Sequence, residues 1–201
     1  QCAEWAGLHI PTEQEWEWAA RGPDRRRFPW GAAWPDDASR ANWGGKVTGA
    51  DHEPTTLPVD SHAEGAGDGR SWCGVHNLCG NVAEWTSSWF AAYPDSDFTS
   101  PYMGRWVKVI RGGGAGDTAW LVLRPACRNY VGTGPSAPPY PDSRFQWCGF
   151  RMAAYGVPGR DHLEPVLRRA TRPRKLKHSD FSPEHFTAMV TRNWASPGAQ
   201  T

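Results

Sequence analysis

Apolar residues recur at helical spacing most clearly in one short stretch. In "PTEQEWEWAARG" (Pro11–Gly22), Trp16, Ala19 and Ala20 share a side, and Thr12-x-x-Glu15 forms a capping box. Glu13 and Glu15 place negative charge at the positive end of the helix dipole, and Gly22 stands where the helix must stop. This helix is read as structural. Alternation marks two strands: "WVKVIRGGG" (Trp106–Gly114), which runs into a glycine turn, and "FQWCGFRMA" (Phe145–Ala153). From Phe28 to Leu57 the pattern dissolves into Gly, Asp and Asn. A structureless stretch of that length is expected to fold around something, and Asn42-Trp43 and Asp51-x-Glu53 offer oxygen ligands within it. No internal repeat is present, and "GTGPSAPPYPDS" is an irregular Pro-rich loop.

"CGNVAEWTSSW" (Cys79–Trp89) fits neither period. It sets a carboxylate and a carboxamide among residues that read as core. Burying an unpaired charge is very costly, so an Arg or a metal ion must sit against Glu84.

Composition adds a second constraint. The chain has 201 residues, which suits one domain with an appendage, and it carries 13 Trp, 22 Gly and 18 Pro. Gly and Pro cut regular structure into short pieces, so rigidity must come from large aromatic side chains, metal ions or disulfides. The five Cys (Cys2, Cys73, Cys79, Cys127, Cys148) show no CxxC spacing, which argues against a zinc knuckle. Their odd number leaves at least one thiol unpaired or intermolecular. Cys73 and Cys79 either bridge or stand as small buried thiols.

Lys and Arg total 22 against 21 Asp and Glu, so no polyanionic partner is expected and nucleic acid is not. The charge is uneven: from Pro158 onward there are 8 Lys/Arg and 4 Asp/Glu, leaving 14 and 17 before it. That tail holds a basic cluster (Asp161–His178) and a stretch, Ser182–Trp194, with Phe186, Met189 and Val190 on one side. It is read as a solvated basic extension, residues 156–201. No apolar run is long enough to span a membrane and no charged-then-apolar leader is read at the start of this sequence, so no membrane partner is expected and the compartment stays open. Opening on Gln1-Cys2-Ala3-Glu4-Trp5, the chain is expected to be a fragment or a processed product.

Several blocks together resemble the formylglycine-generating enzyme, or sulfatase-modifying factor, family. They are "HIPTEQEWEWAARG", "FPWG", "ANWGG", "LPVDS", "GVHNLCGNVAEWTSSW", "KVIRGGG", "RPACRN" and "CGFRMA", in the family's order over residues 1–155. Independent blocks in the right order are far more specific than any single motif. The resemblance implies an α+β, C-type-lectin-like fold with short strands, few helices and much ordered loop. It also implies that the family's N-terminal part is missing. By position, one structural calcium ion would use Asn42, the Trp43 carbonyl, Asp51 and the Glu53 carbonyl. A second would use Asn77, the Gly80 and Val82 carbonyls, and Glu84. Hard cations want such oxygens.

The oxidases of the family bind copper through two cysteines shortly after the Arg-Gly-Gly block. Here Thr118 and Val122 fall near those places, and Cys127 has no nearby thiol, so copper and formylglycine generation are not expected. A second branch resembles the C-terminal domain of ergothioneine-type sulfoxide synthases. That branch needs a His-x3-His-x-Glu bundle, and His9, His52, His62 and His76 lack the spacing.

The remaining resemblance is to the variable proteins of diversity-generating retroelements, which display a randomised surface between fixed scaffold residues. The corresponding segment is Gly114–Cys148. Its frame is Ala119-Trp120, Arg124-Pro125-Ala126, Arg128 and Trp147, with Trp120 and Trp147 read as core. The expected function is therefore non-catalytic binding or display of a protein or cell-surface ligand, with oxidoreductase activity as the alternative. Asp117, Thr118, Leu121, Tyr130, Tyr140 and Phe145 are the candidate contacts. Arg111, Arg124, Arg128 and Arg151 are read as scaffold, bonded to backbone carbonyls or acids.

Overall fold

In this computed structural model, two helices precede three strands among the described residues. They are α1 (Cys2–Trp5), α2 (Glu13–Arg21), β1 (Ala83–Trp89), β2 (Lys108–Arg111) and β3 (Cys148–Phe150). The structure describes residues 2–34, 39–45, 54–62, 67–104, 107–129, 145 and 147–154. They fall into two units, one within Pro11–Arg151 and a small one of residues 2–10 and 152–154. In the small unit, α1 closes with Leu8 N–H on the Ala3 carbonyl, and His9 pairs antiparallel with Ala153.

Helix α2 forms where its caps place it. The Thr12 hydroxyl accepts from Glu15 N–H at 3.2 Å, and Glu15 Oε2 accepts from Thr12 N–H at 2.7 Å. Gly22 follows at φ 66°, a left-handed position where L side chains are strained. Trp16 and Ala20 are buried against Leu78, with Ala19 and Val75 beside them.

The sheet runs β2-β1-β3, with β1 antiparallel to β2 and parallel to β3. Its central strand is the one whose pattern the alternation rule misses. Glu84 and Thr86 point inward, Thr86 Oγ1 donating to the Val109 carbonyl at 2.9 Å. Ser88 lies on the same face and accepts Glu13 N–H at 3.0 Å, which ties α2 to β1. On the other face Trp85 stacks on Phe145 at 6.1 Å, and Phe145 on Trp147 at 4.6 Å.

The two expected strands are shorter than their patterns. The first begins at Lys108 and ends at Arg111, because Gly112 and Gly113 turn the chain at φ 88° and 66°. The second is reduced to Cys148–Phe150, while Ala153 pairs elsewhere as an isolated bridge. Two further apolar clusters complete the larger unit. Phe90, Val107 and Val109 form one. Phe28, Cys79 and Leu123 form the other, which Trp30, Trp34 and Trp43 extend outward. Few helices and a small mixed sheet agree with the expected α+β class.

Candidate functional site

The polar interior comes first, because everything exposed rests on it. Glu84 enters from β1 and is 5% exposed. Arg151 Nε and Nη2 donate to its two carboxylate oxygens at 2.5 Å each, and the Trp16 indole N–H donates at 2.6 Å. Arg151 Nη2 also reaches the His76 carbonyl at 3.1 Å. Of the two partners expected for this acid, the structure supplies the guanidinium.

A second ion group is built on Glu13 of α2, the helix that carries Trp16. Glu13, 3% exposed, accepts from Arg111 Nη2 at 2.8 Å and from Arg128 Nε and Nη2 at 2.7 Å each. Arg111 is completely buried and also donates to Glu17 and to the Pro125 carbonyl. Arg128 lies over the Tyr93 ring at 4.3 Å and donates to the Ala91 carbonyl. Arg111, Arg128 and Arg151 are thus scaffold, as expected; Arg111 Nε and Arg124 Nε are each buried without a hydrogen-bond partner among the described residues. Glu13, read in sequence as a dipole charge, is the hinge pin of this group.

The expected cation ligands divide between described and undescribed residues. Asp51 and Glu53 lie outside the described residues. Asn42 is fully buried and tightly oriented. Its amide nitrogen donates to the Thr55 carbonyl at 2.7 Å and to Asn81 Oδ1 at 3.2 Å. Asn81 is itself fixed, since Oδ1 accepts from Leu57 N–H at 2.8 Å and Nδ2 donates to the Leu57 carbonyl at 3.2 Å. Flipping Asn42 would face oxygen with oxygen, so the assignment of its amide holds. Its Oδ1 is therefore left buried, with no hydrogen-bond partner among the described residues. Such an oxygen fits a hard cation, with the neighbouring Trp43 carbonyl as a second donor.

Asn77, Gly80, Val82 and Glu84 line the turn entering β1. Asn77 (φ 52°) donates to the Val59 carbonyl at 3.0 Å. Gly80 (φ 78°) lies so close to Asn42 that a Cβ there would stand 2.3 Å from the Asn42 carbonyl oxygen. The turn runs only to Val82, because Ala83 and Glu84 already belong to the strand. A cation at this second position would share the Glu84 carboxylate with Arg151. Asn81 was missed as a site residue. Its signal is an Asn directly after a glycine, and it adopts φ 66°.

The segment after β2 sorts the candidate contacts. Asp117 is half-buried and caps its own turn, Oδ2 accepting Gly114 N–H at 2.8 Å and its carbonyl accepting Gly44 N–H at 2.8 Å. Burial raises its carboxyl above the usual range, against the lowering effect of that hydrogen bond. Thr118 is exposed and Leu121 is 54% exposed. Trp120, expected in the core, is 38% exposed. Residues 119–124 coil through i to i+3 backbone bonds that bury Leu123 and turn Trp120 and Leu121 outward. Trp147 is half-buried. Phe145, a candidate contact, is held between Trp85 and Trp147, and Tyr130 and Tyr140 lie outside the described residues.

All five cysteines are free thiols. Cys79 is buried and donates to the Leu123 carbonyl at 3.0 Å, and burial pushes its thiol well up. Burial also raises Cys127, and it pushes Cys148 up to about 12. Burial thus disfavours the thiolate form at these three positions. No helix among the described residues is long and apolar enough to cross a membrane.

Comparison with known proteins agrees with this architecture. Residues 1–155 match the sulfatase-modifying factor enzyme 1-like domain. Hercynine oxygenase from Mycobacterium tuberculosis is 33% identical over 75% of this chain and 33% of its own length. The formylglycine-generating enzyme of Mus musculus is 34% identical over 78% of this chain and 42% of its own. The chain thus spans between a third and a half of the length of these relatives. Among solved structures, Treponema denticola variable protein 1 superposes with a TM-score of 0.50 at 24% identity, covering 74% of this chain and 48% of that one. With residues 1–155 matching that domain and the sequence blocks in order, the chain belongs to the sulfatase-modifying factor family.

Proposed function

We propose that this chain is a non-catalytic binding or display domain on a cation-stabilised sulfatase-modifying factor scaffold. The observation that carries the reading is the run Thr118–Leu121, which exposes apolar side chains from a turn whose supports are buried. Gly113 approaches Leu123 so closely that a Cβ would stand 2.6 Å from its Cδ2, and Leu123 is fully buried. A rigid base under exposed, chemically mixed positions is what a display surface needs. The fold is one that a variable protein also uses, and the sequence resemblance extends the proposal to diversification by a retroelement.

A structural calcium ion is part of the proposal. The orphaned Asn42 Oδ1 supports the first position, with Asn42, the Trp43 carbonyl, Asp51 and the Glu53 carbonyl as ligands. The second position, at Asn77, Gly80, Val82 and Glu84, has weaker support because Arg151 already neutralises Glu84. The ion would hold loops together and take no part in chemistry.

The enzyme relatives favour an oxidoreductase as the competing reading. Against it stand Thr118 and Val122, where the resemblance expects a thiol pair. Aerobic incubation with copper and a cysteine-containing sulfatase peptide, or with iron, hercynine and a thiol, tests this by mass spectrometry. No product is expected. Aldehyde formation that depends on Cys127, or any sulfoxide product, would replace the binding reading with the enzymatic one.

A further inference from the structure

The surface beside Thr118–Leu121 carries a charge that nothing in the described structure balances. Arg27 lies over the Trp120 ring, its guanidinium carbon 5.9 Å from the centroid. Arg21, Arg26 and Arg70 are each paired with a carboxylate at 2.5–2.8 Å. The side chains of Arg25 and Arg27, both exposed, have no acidic partner among the described residues.

From this juxtaposition we propose that Arg27, Trp120 and Leu121 form the recognition face for an acidic peptide segment that carries a bulky apolar side chain. The proposal rests on the display reading above and names the chemistry of its ligand.

The face is built from the core outward. Phe28 is fully buried and meets Trp120 edge-on at 6.3 Å, while Trp30 stacks on Phe28 at 5.5 Å. This fixes the indole from below. The i to i+3 bonds, Leu123 N–H to the Trp120 carbonyl and Arg124 N–H to the Leu121 carbonyl, hold Leu121 beside it. A guanidinium on an aromatic face keeps its N–H fork free in the ring plane, ready for a bidentate carboxylate. Trp and Arg are also the side chains that most often anchor protein interfaces, where little ordering entropy is lost.

Two features favour a peptide over a nucleic acid. One face of Trp120 already carries Arg27, so a base stacking there must displace the cation. Leu121 offers a sugar-phosphate chain nothing, and the whole chain carries only +1. An acidic peptide with a Leu, Phe or Trp uses all three side chains at once. A carboxylate meets Arg27, and the apolar side chain covers Leu121 and the free edge of Trp120.

The test is selection followed by measurement. A phage-displayed random peptide library is panned against the whole chain, and enriched peptides are synthesised for fluorescence anisotropy. Enriched sequences should be net negative with at least one bulky apolar residue, and binding should weaken with salt. Arg27→Glu and Leu121→Asp should each weaken binding by about tenfold or more, with unfolding transitions at the wild-type temperature. Arg27→Gln serves as the neutral variant if the charge reversal perturbs folding. Neutral or basic peptides that need Leu121 but not Arg27 would overturn this ligand class and leave the display reading intact. The absence of any peptide sensitive to Thr118 or Leu121 would overturn both. Equal competition by a single-stranded oligonucleotide would overturn the peptide in favour of a nucleic acid.

Discussion

Gly80 and Gly112 turn the chain at φ 78° and 88°, and Gly80 N–H donates to the Gly112 carbonyl at 2.9 Å. From this shared point two segments treat polarity in opposite ways. After Gly80 the chain sends Asn81, Glu84 and Thr86 inward. After Gly112 it sends Thr118, Trp120 and Leu121 outward. The inward polar groups each meet a fixed partner, and the low dielectric around them makes losing one partner expensive. The outward apolar groups meet few neighbours and bring folding little. A small sheet with short strands is thus clamped from within by charge, which frees an apolar strip for binding.

The largest effect should come from breaking the clamp. Glu13→Ala leaves buried Arg111 with the partly exposed Glu17 as its one carboxylate partner among the described residues, and removes both bonds from Arg128 to Glu13. Removing one member of a buried ion group typically costs roughly 3–5 kcal/mol. Urea unfolding should show a loss of that size. A loss below about 1 kcal/mol would mean that the group is solvated and the inside–outside contrast is wrong.

The tryptophans sharpen the same contrast. Trp16 is 1% exposed and bonds Glu84, so Trp16→Ala should cost roughly 3–5 kcal/mol. Trp120→Ala should cost at most about 2 kcal/mol, because its ring is already partly in water. Equal losses in calorimetry would return Trp120 to the core.

These two pairs also show what was legible in sequence. Helix α2 was, because its capping box and its Trp16–Ala20 spacing are local signals. The family was, because its blocks occur in order. Strand β1 was not. Its inner face is polar, and what makes Glu84 and Thr86 core residues lies far along the chain, at Trp16, Val109 and Arg151. Trp120 was misread because size alone suggests burial, while the coil of residues 119–124 turns it out. The Arg27–Trp120 contact joins positions 93 residues apart, and no spacing rule marks it.

Removing the proposed calcium should come next in size. A ligand at 100 times its Kd stabilises by about 2.7 kcal/mol, so chelation should lower Tm by several degrees. Asn42→Ala should abolish that sensitivity, whereas Asn77→Ala should leave most of it if the first position is the occupied one. A melting curve indifferent to chelator, with no calcium in elemental analysis of the purified protein, would remove the ion from the proposal.

Acid should probe the clamp more gently. Burial, then Arg70, holds His76 below its ordinary value of 6.5. The unfolded chain therefore binds more protons just below that pH, so stability falls as pH drops through about 6.5 and is recovered above it. In His76→Gln the slope of unfolding free energy between about pH 5 and 7 should flatten. An unchanged slope would mean that His76 titrates freely.

The smallest stability change should accompany the largest change in function. Thr118 and Leu121 are exposed, and their backbone bonds do not depend on side-chain identity. Substitution at such sites usually shifts stability by less than about 0.5 kcal/mol. The double variant Thr118→Ala/Leu121→Ser should therefore unfold at the wild-type temperature while losing binding to whatever peptide the wild type selects. Asp117 should behave differently from its neighbours. Asp117→Ala removes the acceptor for Gly114 N–H and should cost about 1 kcal/mol, a helix-cap-sized loss. If Thr118 and Leu121 destabilise as much as Asp117 does, the strip is part of the frame and display must lie elsewhere. If they are silent in stability and decisive in binding, the two segments that meet at Gly80 and Gly112 divide the work of folding and recognition between them.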